Sequence, residues 1–320
     1  MSKTRIVFLD RSTLPSSALL PKLEFEHEWS EYDATPLTKI IERAKDADVI
    51  ITNKVPLDED ILRDLPSLKM IAIAATGYNN VDVEYCRKHN IAITNVQGYA
   101  NQSVPEHVIG LMFALQRNLV GYHNDIANGE WQRNKQFCFF THPIREVCGS
   151  TMGIIGRGEL GAATGALAQS LGMKVVYAEH KGVDQCRDGY LPFEQVLASS
   201  DVISLHCPLN TSTHRLIGKH ELALMKPCAV LINTGRGGLV DEEALVDSLK
   251  EGRLGGAGVD VFTDEPAGES NSLVANMHLP NLLLTPHVAW GTSSAIDNLM
   301  TILIDNVRAF LDGEEKNRIV

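Results

Sequence analysis

The sequence predicts an α/β fold with two doubly wound parallel-sheet domains. Short apolar runs alternate with amphipathic stretches along the whole chain of 320 residues. Such runs are typical of parallel strands that helices cover on both faces. A glycine-rich turn follows one apolar run near the middle of the chain, and a second series of runs begins after residue 100. The length and the two series together indicate two domains.

The first third of the chain contains predicted strands separated by amphipathic stretches at 37–44 and 83–88. A last helix is predicted over 293–311. We expect this series and the last helix to form one domain, which comprises residues 1–99 and 293–320. The predicted strands are Arg5–Leu9, Asp48–Thr52, Met70–Ala74 and Ile91–Thr94.

A helix is predicted to begin at Ser103. The hydroxyl of Ser103 can cap the first turn, Glu106 can reach back to it, and Pro105 is tolerated in a first turn. The helical pattern of apolar residues extends to about Asn128. Because so many of its residues are apolar, this helix is expected to be buried or to lie in an interface.

The second series alternates strands with helices in the pattern of a dinucleotide-binding domain. We expect this domain to comprise residues 100–292 and to be inserted into the first one, with hinges near 99–103 and 287–293. The predicted strands are Met152–Ile155, Met173–Tyr177, Val202–Leu205, Val230–Asn233, Ala257–Val261 and Leu282–Leu284. The predicted helices are Leu160–Leu171, Phe193–Ser199, Lys219–Met225 and Asp241–Glu251.

A glycine-rich turn after the first of these strands predicts a dinucleotide site. Gly156 permits the tight turn, Gly158 lets a pyrophosphate approach the backbone, and Gly161 lets helix and strand pack closely. The amino end of the following helix offers its N–H groups and a favourable dipole to the phosphates. The turn, its strand and its helix therefore predict a dinucleotide as the ligand.

Glu179 follows the second strand of this series, where an acid can accept hydrogen bonds from the adenosine ribose. An acid at this place also repels a 2′-phosphate, so it favours NAD over NADP. His180 and Lys181 follow directly and weaken that preference, because a cation could bind the additional phosphate. NAD is the expected cofactor, and NADP stays an alternative.

The charge and the cysteines exclude several classes of function. A formal net charge of −11 without a basic block disfavours nucleic acids and anionic membranes as partners. The six cysteines show no CxxC pair and no metal-ligand spacing, so we expect reduced thiols and no metal site, with a catalytic Cys207 as the minor alternative. The first residues lack the apolar core of a signal peptide, and no apolar run approaches the ~20 residues of a membrane span. The chain is expected to be cytoplasmic.

If a nicotinamide cofactor binds, reduction of a keto acid also needs a cation for the carboxylate and a proton donor near neutral pH. Arg236 and His287 each follow a predicted strand, at the edge where a doubly wound sheet binds ligands. Arg236 can hold a carboxylate in a fork, and His287 can exchange a proton. Glu265 or its neighbour Asp264 could hold the imidazole tautomer. A surface arginine, a structural histidine and a turn acid are the alternatives, because spacing alone does not bring these residues together.

Several segments resemble the D-isomer-specific 2-hydroxyacid dehydrogenase family in order and spacing, along essentially the whole chain. The resemblance implies an enzyme that interconverts a 2-keto acid and a D-2-hydroxy acid with NAD. It implies that Arg236, Glu265 and His287 form the catalytic set, which selects Glu265 over Asp264. Besides the glycine loop, the matching segments are 75–82 (ATGYNNVD), 103–107 (SVPEH), 205–209 (LHCPL), 233–241 (NTGRGGLVD), 259–266 (VDVFTDEP) and 285–287 (TPH).

The resemblance also implies the architecture and the binding residues. The expected fold is a Rossmann-type nucleotide domain inserted into a flavodoxin-like substrate domain, with the cleft between them. A homodimer is expected, which would use the long helix that starts at Ser103. Substrate contacts are expected from Asn53, from the backbone N–H groups of Thr76 and Gly77, and from Arg236. Cofactor contacts are expected from Val104, Gly156, Gly158, Glu159, Leu160, Gly161, Glu179, Pro208, Thr213, Thr234, Gly235, Asp260 and Trp290, with Asp260 near the nicotinamide amide.

Within the family, the chain resembles the glycerate dehydrogenases, which also act as hydroxypyruvate reductases. The segments 51–55 (ITNKV), 137–140 (FCFF) and 287–290 (HVAW) carry this finer resemblance. The middle of the glycine loop, 157–159 (RGE), departs from the commoner family pattern. Phosphoglycerate, glyoxylate and D-lactate are the alternative substrates, and a non-catalytic, NADH-sensing protein of the corepressor type is the alternative class.

Overall fold

The structure, a computed structural model, describes residues 3–183 and 185–320. The chain divides into two compact units, Met1–Ala100 with Gly291–Val320, and Asn101–Trp290. The strands of the described residues are β1 Thr4–Phe8, β2 His27–Glu31, β3 Val49–Thr52, β4 Met70–Ile73, β5 Ala92–Thr94, β6 Thr151–Ile155, β7 Lys174–Ala178, β8 Val202–Leu205, β9 Val230–Asn233, β10 Gly256–Val259 and β11 Leu282–Leu284. Their α-helices are α1 Ile40–Ala44, α2 Glu59–Arg63, α3 Val83–His89, α4 Ser103–Gln116, α5 Leu119–Ala127, α6 Glu130–Asn134, α7 Glu159–Ser170, α8 Phe193–Ser199, α9 Lys219–Leu224, α10 Glu242–Lys250, α11 Ser272–Ala275 and α12 Ser293–Leu311.

The first unit is built on a parallel five-stranded sheet with the strand order β2-β1-β3-β4-β5. This is the order of flavodoxin-like folds. Strands β3 and β4 are buried along their whole length, as their unbroken apolar sequences predict. Strand β2 was not predicted, because the segment HEWSE is polar and forms an edge strand, which pairs with β1.

The long helix α12 belongs to this first unit, and one of its faces is buried. Nδ2 of Asn306 donates a hydrogen bond of 2.9 Å to the carbonyl oxygen of Asn95, just after β5. The N–H group of Ile319 donates to the carbonyl oxygen of Ile93 at 2.7 Å. The segment after residue 290 thus completes the unit that the first hundred residues begin. No helix of the described ranges is long and apolar enough to cross a lipid bilayer.

The second unit is built on a parallel six-stranded sheet with the strand order β11-β10-β9-β8-β6-β7. Beyond β7, a single parallel bridge joins Ala178 to Leu191, where the third strand of a Rossmann sheet would lie. The six strands agree with their predicted bounds to within two residues. The two parallel sheets with their helices confirm the predicted α/β fold class.

Helix α4 differs from its predicted form at both ends. Ser103 does not cap it, because the Ser103 hydroxyl donates instead to the carbonyl oxygen of Ala289 at 2.6 Å. The prediction of one helix to Asn128 is also wrong, because Asn118 adopts a left-handed φ of +51° and separates α4 from α5. Nδ2 of Asn118 donates to the carbonyl oxygen of Pro143 at 2.5 Å, which stabilises this turn.

Between its ends, α4 packs on the sheet of the second unit. Val108 and Met112 are fully buried there, as the apolar pattern of the helix predicts. The helix lies very close to β10, since a Cβ atom added to Gly258 would lie 3.1 Å from Cβ of Leu111. Helix α4 therefore supports the six-stranded sheet of this unit.

Candidate active site

Four connections at the carboxyl edge of the six-stranded sheet carry the predicted chemistry. The glycine loop follows β6, Arg236 follows β9, Glu265 follows β10 and His287 follows β11. Because all six strands are parallel, their carboxyl ends share one edge of the sheet. The topology therefore brings to one edge four segments that are far apart in sequence.

His287 and Glu265 form a direct hydrogen bond. Nδ1 of His287 lies 2.7 Å from Oε2 of Glu265. The backbone N–H group of Phe262 donates to the other carboxylate oxygen, Oε1, at 3.0 Å. An acid bound to Nδ1 holds the proton on that nitrogen and stabilises the imidazolium. This arrangement leaves Nε2 as the nitrogen that can exchange a proton with a substrate.

The backbone of His287 adopts a left-handed conformation, with a φ of +55°, which is uncommon for residues other than glycine. Its N–H group donates to the carbonyl oxygen of Asp260 at 2.7 Å, and its own carbonyl accepts from Nε1 of Trp290 at 2.9 Å. The fully buried carboxylate of Asp260 accepts from the N–H groups of Val288 and Ala289, each at 2.9 Å. These bonds hold the imidazole in one direction.

Asp260 has a further partner that the sequence analysis did not foresee. Its Oδ1 accepts a hydrogen bond from the hydroxyl of Thr285 at 2.5 Å. The same hydroxyl lies 3.0 Å from Nε2 of His107 on α4. The sequence around His107 indicates only a helix, so it does not predict this contact with Thr285. Asp260 thus orders the connection of His287, and its predicted contact with the nicotinamide amide stays a prediction.

Arg236 lies in a turn that Asn233 organises at the end of β9. Nδ2 of Asn233 donates to the carbonyl oxygen of Arg236 at 2.8 Å, and its Oδ1 accepts from the N–H group of Gly235 at 3.1 Å. The guanidinium donates to the carbonyl oxygen of Gly235 at 2.8 Å, and it has no ion-pair partner within the part of the chain that the structure describes. A partly buried guanidinium without a carboxylate partner can bind an anionic ligand.

The turn of Arg236 is in backbone contact with the connection that carries Glu265. A Cβ atom added to Gly237 would lie 1.9 Å from the carbonyl carbon of Phe262, so only glycine permits this approach. The structure therefore joins the three segments of the predicted catalytic set. One contact is the packing of Gly237, and the other is the hydrogen bond between Glu265 and His287.

The three glycines of the loop after β6 differ in their surroundings. Gly156 has a φ of +99°, and a Cβ atom there would lie 2.6 Å from the backbone nitrogen of Cys207. A Cβ atom at Gly161 would lie 2.0 Å from the carbonyl oxygen of Gly156. At Gly158, by contrast, no described atom lies within 4 Å of such a Cβ. Gly156 and Gly161 shape the turn, whereas the space at Gly158 is open to a ligand.

This loop fits the phosphates of a dinucleotide. The open space at Gly158 adjoins the amino end of α7, a helix of 12 residues whose first N–H groups have no partner within the helix. Thr234, after β9, adds a polar group without a partner. Its Oγ1 is buried and makes no hydrogen bond to any residue that the structure describes. A bound dinucleotide could satisfy both sets of donors.

Among the remaining predicted cofactor residues, Glu159 and Thr213 form hydrogen bonds with other residues of the chain. Glu159 accepts a hydrogen bond from Nδ2 of Asn101 at 3.1 Å. The hydroxyl of Thr213 donates to the carbonyl oxygen of Pro208 at 2.7 Å. Their contacts with a cofactor stay predictions, as do those of three residues that are at least partly buried, Val104, Leu160 and Gly235.

Glu179, the acid predicted to bind the ribose, is already paired. Both of its oxygens accept from Nε of Arg187, at 3.1 and 2.8 Å, and Oε1 also accepts from Nη2 of Arg187 at 2.7 Å. The N–H groups of His180 and Arg187 donate to the two oxygens at 2.8 and 3.0 Å. The Arg187 guanidinium and these N–H groups lower the pKa of Glu179 to about 2. Arg187 was not among the predicted residues, because it lies in an irregular loop with no motif.

Two titratable residues beside the glycine loop are held in their neutral forms. Burial lowers the pKa of His206 to about 4, and its Nε2 lies 2.9 Å from Oγ of Ser204. Burial raises the pKa of the Cys207 thiol to about 11. A thiol that stays protonated at neutral pH is a weak nucleophile. The structure therefore disfavours the alternative of a catalytic Cys207.

The predicted substrate residues Asn53, Thr76 and Gly77 lie in the first unit, after β3 and β4. The carboxylate of Asp10 organises the first of these turns by accepting from the N–H groups of Asn53 and Lys54 at 2.9 and 2.6 Å. Oδ1 of Asn53 is buried and has no hydrogen-bond partner among the described residues. Within the same residues, the N–H groups of Thr76 and Gly77 donate to no acceptor. Their roles toward a substrate stay predictions.

A family model described as "D-isomer specific 2-hydroxyacid dehydrogenase, NAD binding domain" matches residues 109–289. Curated proteins are similar over nearly the whole chain. A putative 2-hydroxyacid dehydrogenase of Haemophilus influenzae is 49% identical over 96% of this chain and 98% of its own. A glycerate dehydrogenase of Methylorubrum extorquens is 46% identical over 98% of both chains. A hydroxypyruvate reductase of Blautia hydrogenotrophica is 37% identical, also over 98% of both.

Solved structures of similar proteins share the fold over the full length. A protein of Thermus thermophilus has a TM-score of 0.86 at 31% identity, with 99% of this chain and 100% of that chain covered. An acyclic imino acid reductase in complex with NADPH and D-Arg has a TM-score of 0.83 at 28% identity, with the same coverages. A D-lactate dehydrogenase of Aquifex aeolicus, complexed with NAD and lactic acid, has a TM-score of 0.80 at 26% identity, with 97% and 96% covered.

Proposed function

Because the chain belongs to the D-isomer-specific 2-hydroxyacid dehydrogenase family, we propose that it interconverts hydroxypyruvate and D-glycerate. Its family makes it an NAD-dependent oxidoreductase of 2-hydroxy and 2-keto acids. The relatives named glycerate dehydrogenase and hydroxypyruvate reductase support this pair of substrates. The observation that carries the chemistry is the 2.7 Å contact between Nδ1 of His287 and Glu265, on a connection that touches the turn of Arg236.

Three side chains perform the chemistry in this proposal. NADH, when bound, supplies the hydride that reduces C2 of the keto acid. Arg236 binds the substrate carboxylate, for which a guanidinium offers two parallel hydrogen bonds. Nε2 of His287 donates its proton to the substrate oxygen, which becomes the hydroxyl of D-glycerate, and the imidazole is left neutral. Glu265 stabilises the imidazolium before this transfer. In the oxidative direction, the same nitrogen accepts the proton.

Replacement of His287 by alanine tests the proton donor. We expect kcat for hydroxypyruvate reduction to fall by about 100- to 10,000-fold, the usual contribution of a general acid. NADH binding, measured by fluorescence titration, should change little because the glycine loop is untouched. The control His278→Ala removes an exposed histidine of the same unit and should keep wild-type turnover. Near-normal turnover of His287→Ala would exclude this residue as the proton donor.

A panel of keto acids, followed by NADH absorbance, tests the substrate. We expect the highest kcat/KM for hydroxypyruvate, compared with glyoxylate, pyruvate and phosphohydroxypyruvate. A higher value for one of the others would replace the proposed substrate and leave the family unchanged. Tight NADH binding without turnover of any keto acid would favour the alternative of a sensing protein.

We also propose roles for the two parts of the chain. Residues 1–99 and 293–320 would contact the substrate through Asn53, Thr76 and Gly77, and residues 100–292 would bind NAD. The flavodoxin-like order of one sheet and the Rossmann-like order of the other support this assignment. We propose a cytoplasmic location, which six cysteines without a disulfide support.

We propose a homodimer, which the surface of the segment after α4 supports. Large apolar side chains are concentrated there, with Phe137 91% and Phe140 78% exposed. Contiguous exposed apolar surface is typical of a protein interface. A second copy of this chain is the partner that the family resemblance implies. The other exposed apolar residues of the segment are Leu119, Val120, Ile126, Trp131 and Ile144.

A further inference from the structure

We propose that Arg187 neutralises Glu179 and thereby lets the adenosine end of the cofactor site accept NADPH as well as NADH. The inference rests on the proposed function, since it assumes that the glycine loop binds a nicotinamide dinucleotide. It concerns the one position where a dinucleotide fold distinguishes a ribose hydroxyl from a 2′-phosphate, at the end of the second strand. In this chain that position is Glu179, directly after β7.

Hydrogen-bond donors of the chain already saturate the carboxylate of Glu179. Its two oxygens accept five hydrogen bonds, three from the Arg187 side chain and two from the N–H groups of His180 and Arg187. A carboxylate has about four lone-pair sites. Glu179 therefore has no capacity left for the ribose hydroxyls while Arg187 stays in place. An acid in this state cannot give NADH its usual advantage.

The two charged side chains of this ion pair differ in exposure. The side chain of Glu179 is 2% exposed, whereas that of Arg187 is 54% exposed. The acid is thus covered, and the cation is the group that a cofactor would meet. Among the residues that the structure describes, Nη1 of Arg187 makes no hydrogen bond, so it can donate to a phosphate. The repulsion that normally rejects a 2′-phosphate is cancelled.

A second guanidinium strengthens the positive character of this place. Arg157, in the middle of the glycine loop, lies with its guanidinium carbon 4.4 Å from the ring centroid of Tyr177 and 5.7 Å from that of Tyr190. Arg187 lies 4.2 Å from the same Tyr190 ring. Stacking on aromatic rings fixes both guanidinium groups. Two cations and one acid leave a local positive charge in a chain whose formal net charge is −11.

The neighbouring cation Lys181 provides a matched control. Its Nζ is bound to Oε1 of Glu221 at 2.8 Å, so it is committed to another acid. Lys181 is only two residues from Glu179 in sequence, but in this proposal Arg187 is the cation that binds the phosphate. Comparison of the two variants therefore separates a specific guanidinium contact from a general effect of positive charge.

Calorimetric titration of the apoprotein with 2′,5′-ADP and 5′-AMP tests the inference. These fragments differ only in the 2′-phosphate, and no keto acid or turnover is needed. We expect the wild type to bind 2′,5′-ADP at least as tightly as 5′-AMP. In Arg187→Ala, affinity for 2′,5′-ADP should fall by roughly 10- to 100-fold, the usual effect of losing a charge-assisted hydrogen bond. Affinity for 5′-AMP should stay or rise as Glu179 becomes available. Lys181→Ala should bind both fragments as the wild type does.

Three results would overturn the inference. The first is a wild type that fails to bind 2′,5′-ADP. The second is an Arg187→Ala variant that loses affinity equally for both fragments. The third is a Lys181→Ala variant that loses more affinity for 2′,5′-ADP than Arg187→Ala does. Arg187→Lys, which keeps the charge, should restore part of the affinity for 2′,5′-ADP and thus separates charge from folding defects. If no keto acid is turned over but Arg187→Ala still loses 2′,5′-ADP selectively, the proposed substrate fails and this inference stands.

Discussion

At the scale of single residues, the direction of the His287 side chain depends on a strained backbone. A left-handed conformation costs a residue with a Cβ atom roughly 1–2 kcal/mol, and His287 adopts it with a φ of +55°. The bonds from Val288 and Ala289 to the buried carboxylate of Asp260 offset this cost. Asp260 is therefore a positioning residue for the imidazole, whatever it contributes to the cofactor.

The glycine loop allows a prediction that separates binding from folding. Gly158→Ala should change the free energy of unfolding by less than about 1 kcal/mol, because the added methyl meets no described atom within 4 Å. It should weaken NADH binding by about tenfold or more, because the methyl fills the space where a phosphate approaches. Urea denaturation and fluorescence titration measure the two effects.

Gly161→Ala is the matched comparison for this experiment. A Cβ atom there would lie 2.0 Å from a carbonyl oxygen, so this variant should lose about 3 kcal/mol or more of stability. Unchanged NADH affinity in Gly158→Ala would show that the dinucleotide phosphates do not approach this glycine.

His206 predicts a pH dependence of stability. Burial lowers its pKa in the folded protein to about 4 from the ordinary 6.5. Between these two values, the unfolded chain binds a proton that the folded chain does not bind, so stability falls as the pH falls through this range. Urea denaturation should show a smaller loss between pH 6.5 and 4 for His206→Gln than for the wild type. Equal losses would show that His206 takes up its proton without unfolding.

The residues of the candidate site differ in how far the sequence could predict them. Strand ends selected Arg236 and His287, because the carboxyl edge of a parallel sheet is where ligands bind. The choice between Asp264 and Glu265 needed the family resemblance, since both acids precede the same proline. Arg187 was not predictable, because its partner Glu179 is reached through an irregular loop.

At the scale of elements, one carboxylate ties the connection between β10 and β11 to α10. Oε1 of Glu242, the first residue of α10, accepts from the N–H group and the hydroxyl of Thr263 at 2.7 and 2.9 Å. Its Oε2 accepts from Nδ2 of Asn271 at 2.6 Å. Glu265 lies between these two anchored positions. Glu242 therefore determines where the carboxylate that binds His287 can lie.

Glu242→Gln should loosen this connection without touching the reacting groups. Both carboxylate oxygens of Glu242 accept hydrogen bonds, whereas glutamine has an NH2 group in place of one of these oxygens. This NH2 group would face another donor, so at least one of the hydrogen bonds is lost. We expect kcat to fall by roughly 10- to 100-fold through misplacement of Glu265. KM for hydroxypyruvate should change much less than kcat, because Arg236 and its turn keep their contacts.

The exposed neighbour Glu243 is the control for this variant. Glu243→Gln removes the same charge from the same helix and should keep the wild-type kcat and KM. If Glu242→Gln lowers only the free energy of unfolding and leaves kcat unchanged, its role is structural alone.

The elements themselves were predictable where local sequence decides them. The six strands of the second unit are apolar on both faces, so the sequence defines them well. The edge strand β2 was missed because one of its sides needs no apolar residues. The division between α4 and α5 was missed because Asn118 ends the helix through a bond to Pro143, which is distant in sequence.

At the scale of the whole molecule, the exposed aromatic side chains of the segment 119–144 predict an assembly that can be measured. The mass by light scattering should be twice the chain mass of 35.1 kDa. A double variant Phe137→Ser with Phe140→Ser should shift it toward the mass of one chain, because burial of these rings stabilises the interface. Leu19→Ser, at a residue 79% exposed in the first unit, should leave the mass unchanged. A monomeric wild type, or a double variant that stays dimeric, would contradict this assembly.

The order of the chain through the two units has a consequence for synthesis on the ribosome. The carbonyl oxygens of Ile93 and Asn95 accept hydrogen bonds from Ile319 and Asn306, which are translated after the inserted unit. A nascent chain that has emerged only as far as residue 290 already contains the whole six-stranded sheet but lacks α12. The inserted unit can therefore fold while the five-stranded sheet still lacks α12, and the strands of that sheet stay accessible to chaperones until residues 291–320 emerge.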